Sequence, residues 1–241
     1  MATFLTAKWT HLIMAQYSIA PETLTPWLPA GVELDMFQGH TYISLVGFLF
    51  HHVRLKGVPI PFHTSFEEIN LRFYVKRREA DGTVRRGVVF VREFVPRAAI
   101  TLVARTFYDE PYSTVPTTHQ IAHHPEGLQV DYRWKHAGRW HELAVTADPQ
   151  PQEMVAGGEE EFLTEHYWGY TKRRDGTTTA YEVRHPRWKT HAVKHLEIDA
   201  DLGMLYGPAF AGIDAGKPDT VLLAEGSAVT VEGATGERIR S

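Results

Sequence analysis

The stretch 66-FEEINLRFYV-75 decides the fold of this chain. Successive side chains of a β-strand point to opposite faces, so a strand here has one apolar face and one mixed face. The apolar face carries Ile69, Leu71, Phe73 and Val75, and the mixed face carries Phe66, Glu68, Asn70, Arg72 and Tyr74. Such a mixed face is commonly the solvated side of an antiparallel sheet. It also combines an acid, an amide, a guanidinium and two aromatic rings, so we interpret it as the lining of an internal site.

The residues on either side of this stretch carry strand and turn signals. Asp81-Gly82 is a turn signal, which predicts a hairpin between residues 66–75 and a return strand over Gly87–Val95. Upstream, Thr41–Phe50 is apolar at nearly every position and predicts a central strand that is buried on both faces. The intervening segment His51–His63 contains two prolines and predicts an extended loop.

The rest of the chain adds further strands and a few short helices. Strands are predicted at 12–19, 32–37, 128–135, 139–147, 167–173, 177–184, 188–198 and 220–231, and short helices at 21–28, 96–107 and 159–165. Asp175-Gly176 is the clearest hairpin signal. No internal repeat or linker interrupts the pattern, so we expect one mainly antiparallel β domain (α+β) over residues 1–241.

Composition narrows the function classes. The 241 residues are 43% hydrophobic and 22% charged, with a net charge of -4, which is typical of a packed globular protein. No basic excess is present to neutralise phosphates, so we expect no nucleic-acid partner. The absence of cysteine excludes disulfides, thiolate nucleophiles and cysteine-bound metals. Residues 1–17 lack a signal peptide and no apolar run reaches the roughly 20 residues of a membrane span, so we expect no membrane partner and a cytoplasmic location.

Known catalytic and cofactor motifs are not found in the sequence. His191 and His195 could suggest a metal site, but on a strand their spacing separates them by about 13 Å. The other histidines match no metal-ligand pattern. There is no G-x-S-x-G elbow, no G-x-G-x-x-G and no P-loop. We therefore expect neither a metal nor a cofactor.

The mixed face is the strongest candidate for chemistry. Glu68, Asn70 and Arg72 stand in a row at a spacing of about 7 Å, which suits the binding of a carboxylate or carbonyl compound. Glu68 can also act as a general acid or base if burial raises its pKa. The structural alternative is an internal ion pair that supports the sheet.

Several short motifs together resemble a known family. They are the Trp9 to Met14 start, Leu28-Pro29-x-Gly31, F-x-E-x-N-x-R-x-Y-V over residues 66–75, Ala104-Arg105, Pro111-Tyr112, F-L-T-E-x-Y over residues 162–167 and His185-Pro186-x-Trp188. The combination resembles the uncharacterised YqjF-like family from about Trp9 to Ile198. That family is similar to the acetoacetate-decarboxylase-like superfamily. The resemblance implies an antiparallel β-barrel or curved sheet that encloses a polar internal cavity.

The resemblance also implies site residues. Glu68 matches the cavity glutamate of the decarboxylases, and Arg105 and Pro111 resemble the arginine and proline of the segment that carries the Schiff-base lysine. Tyr112 stands where that lysine is expected. A phenol cannot form the iminium intermediate, so acetoacetate decarboxylase activity is not expected.

Two functions remain open at this point, and both use the same cavity. In the first, the protein binds a small organic acid or carbonyl compound through Asn70, Arg72, Tyr74 and Arg105 without covalent chemistry. In the second, it is a lyase, hydratase or isomerase in which Glu68 moves a proton and Tyr112 donates a hydrogen bond. A purely structural or partner-binding domain is the third alternative. The sequence leaves the oligomeric state open, and a homo-oligomer is among the alternatives.

Overall fold

The structure is a computed structural model that describes residues 3–59, 64–98, 101 and 110–239, without the side chains of residues 234–237. The described helices are short: α1 (Pro21–Leu24), α2 (Glu159–Thr164), α3 (Leu202–Tyr206), and 3-10 turns at Thr25–Trp27 and Pro208–Phe210. Within these ranges no helix is long and apolar enough to cross a membrane. The helix predicted over residues 96–107 lies largely outside the described residues.

Strands make up most of the structure. They are β1 (Thr3–Ile19), β2 (Glu33–Leu34), β3 (Thr41–Leu55), β4 (Val58–Pro59), β5 (Phe66–Arg78), β6 (Val84–Val95), β7 (Tyr112–Thr114), β8 (Thr117–His124), β9 (Gly127–His136), β10 (Arg139–Ala147), β11 (Gln152–Glu153), β12 (Trp168–Lys172), β13 (Thr178–Arg184), β14 (Lys189–His191), β15 (Val193–Asp199) and β16 (Thr220–Ile239). The predicted mainly β fold with a few short helices is confirmed.

The strands form a large curved sheet and a small flanking sheet. The large sheet runs β1-β3-β5-β6-β12-β13-β16, and pairing of β16 with β1 closes it into a ring. Neighbours in the ring are antiparallel except β6 and β12, which run parallel and join through Trp168–Gly87 and Gly169–Val88. Because this seam is so short, the sheet is a closed curve rather than a regular barrel. The small sheet has the order β15-β10-β9-β8.

Strand β5 lies in the middle of the ring wall, between β3 and β6. Its apolar face packs in a core shared with the small sheet, where Ile69, Leu71 and Phe73 meet residues such as Tyr132 and Trp134 of β9. Its other face points into the ring, where Phe66 and Tyr74 belong to a second core. Both faces of β5 are therefore buried, and the mixed face is not a solvated surface.

Most of the predicted hairpins are present, with two corrections. Gly82 and Gly176 take positive φ angles of 86° and 81° in the turns after β5 and β12, as the turn signals predicted. The loop predicted over His51–His63 is wrong for its first part, because β3 continues to Leu55 and pairs with β4. The single late strand predicted over Trp188–Ile198 is divided at Ala192, so β14 joins the large sheet and β15 the small one.

Candidate functional site

A cavity of about 140 Å³ lies inside the ring. One part of its wall is aromatic: Trp9 packs edge-on against Phe48, Phe50 and Trp188, at ring-centroid distances of 5.2, 5.6 and 6.3 Å. The polar residues that line the cavity are Glu68, Asn70, Arg72, Glu93, Glu110, Tyr112, Thr164, His166, Tyr181 and His185. We call this space the ring cavity. It has the general form of a small-molecule site, with apolar walls and a limited set of polar groups.

Three neighbouring strands position the polar wall. Glu68 and Asn70 project from β5, Glu93 lies opposite Asn70 on β6, and Tyr112 lies beside Glu93 on β7. A β-bulge in β6 between the partners of Leu71 and Arg72 shifts the pairing by one residue. Because side chains alternate along a strand, this shift is what turns Glu93 towards the cavity.

Three carboxyl groups lie together on this wall: Glu68, Glu93 and Glu110, which we call the carboxyl cluster. Each is at most 4% exposed. The Glu68 carboxyl accepts hydrogen bonds from Asn70 Nδ2 at 3.0 Å and from Tyr112 Oη at 2.7 Å. The Glu110 Oε1 atom accepts bonds from Thr171 Oγ1 at 2.6 Å and Tyr181 Oη at 2.9 Å. These four donors to Glu68 and Glu110 are neutral groups, and the charge of Arg72 also acts on Glu68.

Burial shifts the titration of the cluster into the neutral range. Desolvation raises the pKa of Glu68 to about 7, against the hydrogen bonds from Tyr112 and Asn70, which lower it. Burial likewise raises the pKa of Glu110 to about 7. The pKa of Glu93 is raised well above its usual value by burial and by the charges of Glu110 and Glu68. The cluster therefore holds protons at pH 7 and can exchange them there.

Among the described residues that line the ring cavity, Arg72 is the one that carries a positive charge at pH 7. Its Nη2 atom makes two weak contacts, with the Leu163 carbonyl oxygen at 3.4 Å and the Met14 sulfur at 3.7 Å. Its Nε atom is buried and has no hydrogen-bond partner. In the described ranges Arg72 makes these contacts and no direct ion pair, although its charge lowers the pKa of Glu68. The guanidinium is left with donors to spare at the cavity wall.

His166 is a further polar residue at the cavity wall that was not predicted from the sequence. Its side chain is 1% exposed, and its Nε2 atom lies 3.2 Å from Asp35 Oδ2. Asp35 in turn accepts a 2.7 Å hydrogen bond from Arg86. Burial lowers the pKa of His166 to about 4, so the ring is neutral at pH 7. Since a carboxylate only accepts, Nε2 carries the proton, and Nδ1 is an acceptor that has no partner.

The predicted site residues differ in where they lie. Glu68, Asn70, Arg72 and Tyr112 all line the ring cavity. Tyr74 is not among the described lining residues, because its hydroxyl pairs with Ser44 at 2.6 Å and its ring packs on Phe162 and His166. Arg105 lies outside the described residues. The roles assigned to these residues stay predictions.

Sequence reasoning missed Glu93, Glu110 and His166. His166 falls within the F-L-T-E-x-Y motif that carried the family resemblance, and this was the available signal. Glu93 and Glu110 gave no local signal, since each reaches the cavity through strand pairing or a loop. Throughout the described ranges, no three His, Asp or Glu side chains are arranged to hold a metal ion. His191 and His195 lie on strands of different sheets.

Comparison with known proteins identifies relatives along nearly the whole chain. The profile of the DUF2071 family, described as "Uncharacterized conserved protein", matches residues 6–228. Uncharacterized protein YqjF of Bacillus subtilis (strain 168) is 27% identical over 186 residues, which cover 75% of this chain and 72% of that protein. The family resemblance predicted from the short motifs is thereby confirmed.

Solved structures with a similar fold cover the chain completely. The enduracididine biosynthesis enzyme MppR, complexed with pyruvate, has a TM-score of 0.68 at 14% identity over 100% of this chain and 92% of its own. An acetoacetate decarboxylase-like enzyme from Sphingomonas wittichii RW1 has a TM-score of 0.66 at 13% identity, covering 100% and 95%. Acetoacetate decarboxylase from Legionella pneumophila has a TM-score of 0.64 at 12% identity, covering 100% and 90%. At these identities the likeness concerns the fold alone, which is acetoacetate-decarboxylase-like.

Proposed function

This chain belongs to the DUF2071 family, and we propose that it is a small-molecule-binding protein whose ring cavity takes a small organic acid. The observation that carries the proposal is Arg72, a cavity-lining guanidinium with no carboxylate partner in the described structure. Arg72 is partly buried and its Nε atom is fully buried, so leaving this cation unpaired is costly, and a ligand carboxylate reduces that cost. Arginine also suits this role because its planar fork matches a carboxylate with two parallel hydrogen bonds.

The size of the cavity limits the ligand. A cavity of about 150 Å³ accepts benzene, so a space of about 140 Å³ suits a molecule of similar size. The aromatic wall formed by Trp9, Phe48, Phe50 and Trp188 can cover an apolar body, while Arg72 binds the anionic end. Keto acids and short-chain carboxylic acids fit both conditions. MppR, one of the proteins of similar fold, is complexed with such a compound, pyruvate.

The lysine positions support binding without a Schiff base. All eight lysines of the chain lie at described positions, and none of them is among the residues that line the ring cavity. Tyr112, at the position where the resemblance leads one to expect a lysine, is hydrogen-bonded to Glu68. Without an amine at the wall, a carbonyl ligand is held by hydrogen bonds and charge alone.

Isothermal titration calorimetry with pyruvate, butanoate and the neutral ketone butanone tests this proposal. We expect the two acids to bind and butanone to bind more weakly. Arg72→Met keeps the apolar stem and removes the charge, so it should weaken both acids by about 10- to 100-fold, the range expected for hydrogen bonds to a charged group. The matched control is Arg133→Met on β9, which lies outside the cavity and should leave binding unchanged. Equal affinity of the acids for wild type and Arg72→Met would overturn the proposal.

One observation favours a second candidate function, an enzyme that moves a proton without a covalent lysine intermediate. Glu68 lies at the cavity wall, is held on both oxygens and has a pKa of about 7, which suits a general acid or base. The geometry changes the role proposed for Tyr112. Its one hydroxyl proton is directed at Glu68, so Tyr112 positions the carboxyl group rather than donating to a ligand oxyanion.

Hydrogen–deuterium exchange at the methyl group of pyruvate in deuterium oxide tests this second candidate. An enzyme of this kind takes a proton from the carbon beside the carbonyl, and Glu68→Gln should abolish the exchange. Tyr112→Phe should slow the exchange and move its pH profile. If exchange in the presence of wild-type protein equals that with Glu68→Gln, the protein only binds its ligand.

A further inference from the structure

The buried polar atoms that lack a hydrogen-bond partner at the ring cavity include more acceptors than donors. Among the described residues that line it, six side-chain atoms are buried and make no hydrogen bond. Two are donors, on Trp9 and Arg72. The other four are acceptors when the glutamates are ionised: Asn70 Oδ1, Glu93 Oε2, Glu110 Oε2 and His166 Nδ1. Buried polar atoms are nearly always satisfied in folded proteins. We therefore expect a bound ligand to supply the missing hydrogen-bond partners of these atoms.

We propose, on the basis of the proposed function above, that the ligand is a small zwitterion, whose carboxylate binds Arg72 and whose ammonium group binds the carboxyl cluster and Asn70. An ammonium group has three donors and no acceptor. It therefore matches the free oxygens of Glu93, Glu110 and Asn70. A short-chain amino acid is the simplest molecule that carries both groups.

Asn70 gives independent support, because its amide is neutral and its orientation is fixed. The amide is 1% exposed and donates through Nδ2 to Glu68 Oε1 at 3.0 Å. With the nitrogen used in this way, the amide oxygen is the atom left over, and it lies on the strand pair that also carries Glu93. A ligand with donors at this position satisfies the Asn70 amide oxygen while Glu68 accepts from Nδ2.

The arrangement of the carboxyl groups favours an organic cation over a metal ion. Glu68, Glu93 and Glu110 all lie in the described ranges, where no three such groups are arranged as metal ligands. Their oxygens are also committed in part to Asn70, Tyr112, Thr171 and Tyr181. Glu93 and Glu110 come from β6 and from the loop before β7, so their remaining oxygens reach the cavity from two elements. An ammonium group has three N–H donors and can bind oxygens of more than one residue.

Binding of a cation here must be linked to proton release. Without ligand the cluster carries protons at pH 7, because burial raises the pKa of each member. An ammonium group takes the place of a proton and favours the ionised carboxylate. The affinity should therefore rise as the pH rises from 6 towards 8, by at most about tenfold per pH unit for one proton released.

The spacing of the two ends selects the probe. Asn70 and Arg72 are neighbours on one face of β5, about 7 Å apart along the strand. In 4-aminobutanoate the two charged groups are separated by three carbon atoms, and the molecule has seven heavy atoms, which is close to benzene in size. Butanoate has only the anionic group and butylammonium only the cationic one, so the three probes separate the two ends of the site.

Calorimetric titration of the three probes at pH 6, 7 and 8 tests the inference. We expect 4-aminobutanoate to bind at least tenfold more tightly than butanoate at pH 7, with an advantage that grows at pH 8. Glu93→Gln should abolish this advantage of 4-aminobutanoate over butanoate. The control is Glu67→Gln on the same strand, whose carboxyl faces Thr117 and His119 rather than the cavity. Melting curves establish that both variants are folded.

The outcomes distinguish the inference from the proposed function. If butanoate binds through Arg72 but the amino group adds no affinity, or if its contribution survives Glu93→Gln, the zwitterion is refuted and acid binding stands. If none of the three probes binds, both fail. Calorimetry in buffers of different ionisation enthalpy gives a separate reading. Binding of 4-aminobutanoate without proton release at pH 7 would also overturn the inference.

Discussion

At the scale of single residues, the site is determined by how each carboxyl group is held. Tyr112 Oη donates to Glu68 Oε2 at 2.7 Å, and this bond lowers the pKa of Glu68, while burial raises it to about 7. Tyr181 Oη likewise donates to Glu110 Oε1 at 2.9 Å, and this bond lowers the pKa of Glu110, while burial raises it to about 7. Tyr112 thus favours the ionised forms of Glu68 and Glu93, and Tyr181 favours that of Glu110, so the two phenols can be replaced separately.

We expect Tyr112→Phe to raise the pKa of Glu68 above 7, since the variant loses a donor that stabilises the carboxylate. The measurement is a 13C NMR titration of the glutamate carboxyl groups, with Glu68 assigned from Glu68→Gln. Tyr181→Phe is the matched control, and it should raise the pKa of Glu110 while leaving Glu68 nearly in place. A Glu68 titration that is unchanged in Tyr112→Phe would show that the bond has no effect on its charge.

Sequence alone could predict Glu68 as a cavity residue but not Glu93. If the hairpin pairing continued from Arg78–Val84 without interruption, Arg92 would lie opposite Asn70 and Glu93 would face the core. The bulge in β6 shifts the pairing by one residue from Leu71 to Ile69, so Glu93 lies opposite Asn70 and faces the cavity. Nothing in the sequence of residues 84–95 marks the bulge, so a strand pattern read with a period of two assigns the wrong face. Glu110 reaches the cavity from the loop before β7, and His166 from the segment after α2. Both positions are set by tertiary contacts, which a local sequence pattern does not reveal.

At the scale of elements, the short parallel seam between β6 and β12 closes the ring around the cavity. Gly87 lies at this seam opposite Trp168. A Cβ atom at position 87 would lie 2.4 Å from the Trp168 carbonyl oxygen and 2.6 Å from Cε2 of Tyr170. Close approach of the two strands therefore requires glycine here. The hairpins on either side, with their Asp-Gly turns, were predictable from sequence, whereas this seam joins strands about 80 residues apart and has no local signal.

We expect Gly87→Ala to reduce the free energy of unfolding by about 1–3 kcal/mol, because the added methyl group forces β6 and β12 apart. Urea denaturation of wild type and variant measures the loss. Gly212→Ala is the control, since a Cβ atom there meets no other atom within 4 Å. That variant should be neutral or more stable by up to ~1 kcal/mol. Equal stability of Gly87→Ala and wild type would contradict the closed seam.

At the scale of the whole molecule, the protein has two cores that differ in composition. The core between the large and small sheets contains Phe73, Tyr132 and Trp134 and is apolar. The core inside the ring contains aromatic residues such as Phe48 and Phe66 together with the carboxyl cluster. Buried carboxyl groups with raised pKa values reduce stability when they ionise, so the site is maintained at some expense to the fold.

The pH dependence of stability should carry the signature of the cluster. A carboxyl group whose pKa is raised to about 7 on folding binds its proton more tightly in the folded state. Its contribution to stability is therefore complete below pH 4.5 and is lost as the pH rises through 7, at up to about 1.4 kcal/mol per pH unit for each proton. Buried histidines such as His166, with its pKa lowered to about 4, act in the opposite direction.

A variant isolates the carboxyl contribution. In Glu110→Gln the Oε1 atom can still accept from Thr171 and Tyr181. The free energy of unfolding of Glu110→Gln relative to wild type should rise between pH 5 and pH 7 and become constant above about pH 8. Urea denaturation at pH 5, 6, 7 and 8 gives this difference. A constant difference over the whole range would mean that Glu110 titrates normally.

The most direct test of small-acid binding is a crystal structure of the protein with pyruvate. It should contain one pyruvate inside the ring, with its carboxylate oxygens about 3 Å from the Arg72 guanidinium nitrogens and its methyl group against the aromatic wall of Trp9 and Phe48. An empty ring cavity at saturating pyruvate, with Arg72 still on the Leu163 carbonyl oxygen, would contradict the proposal.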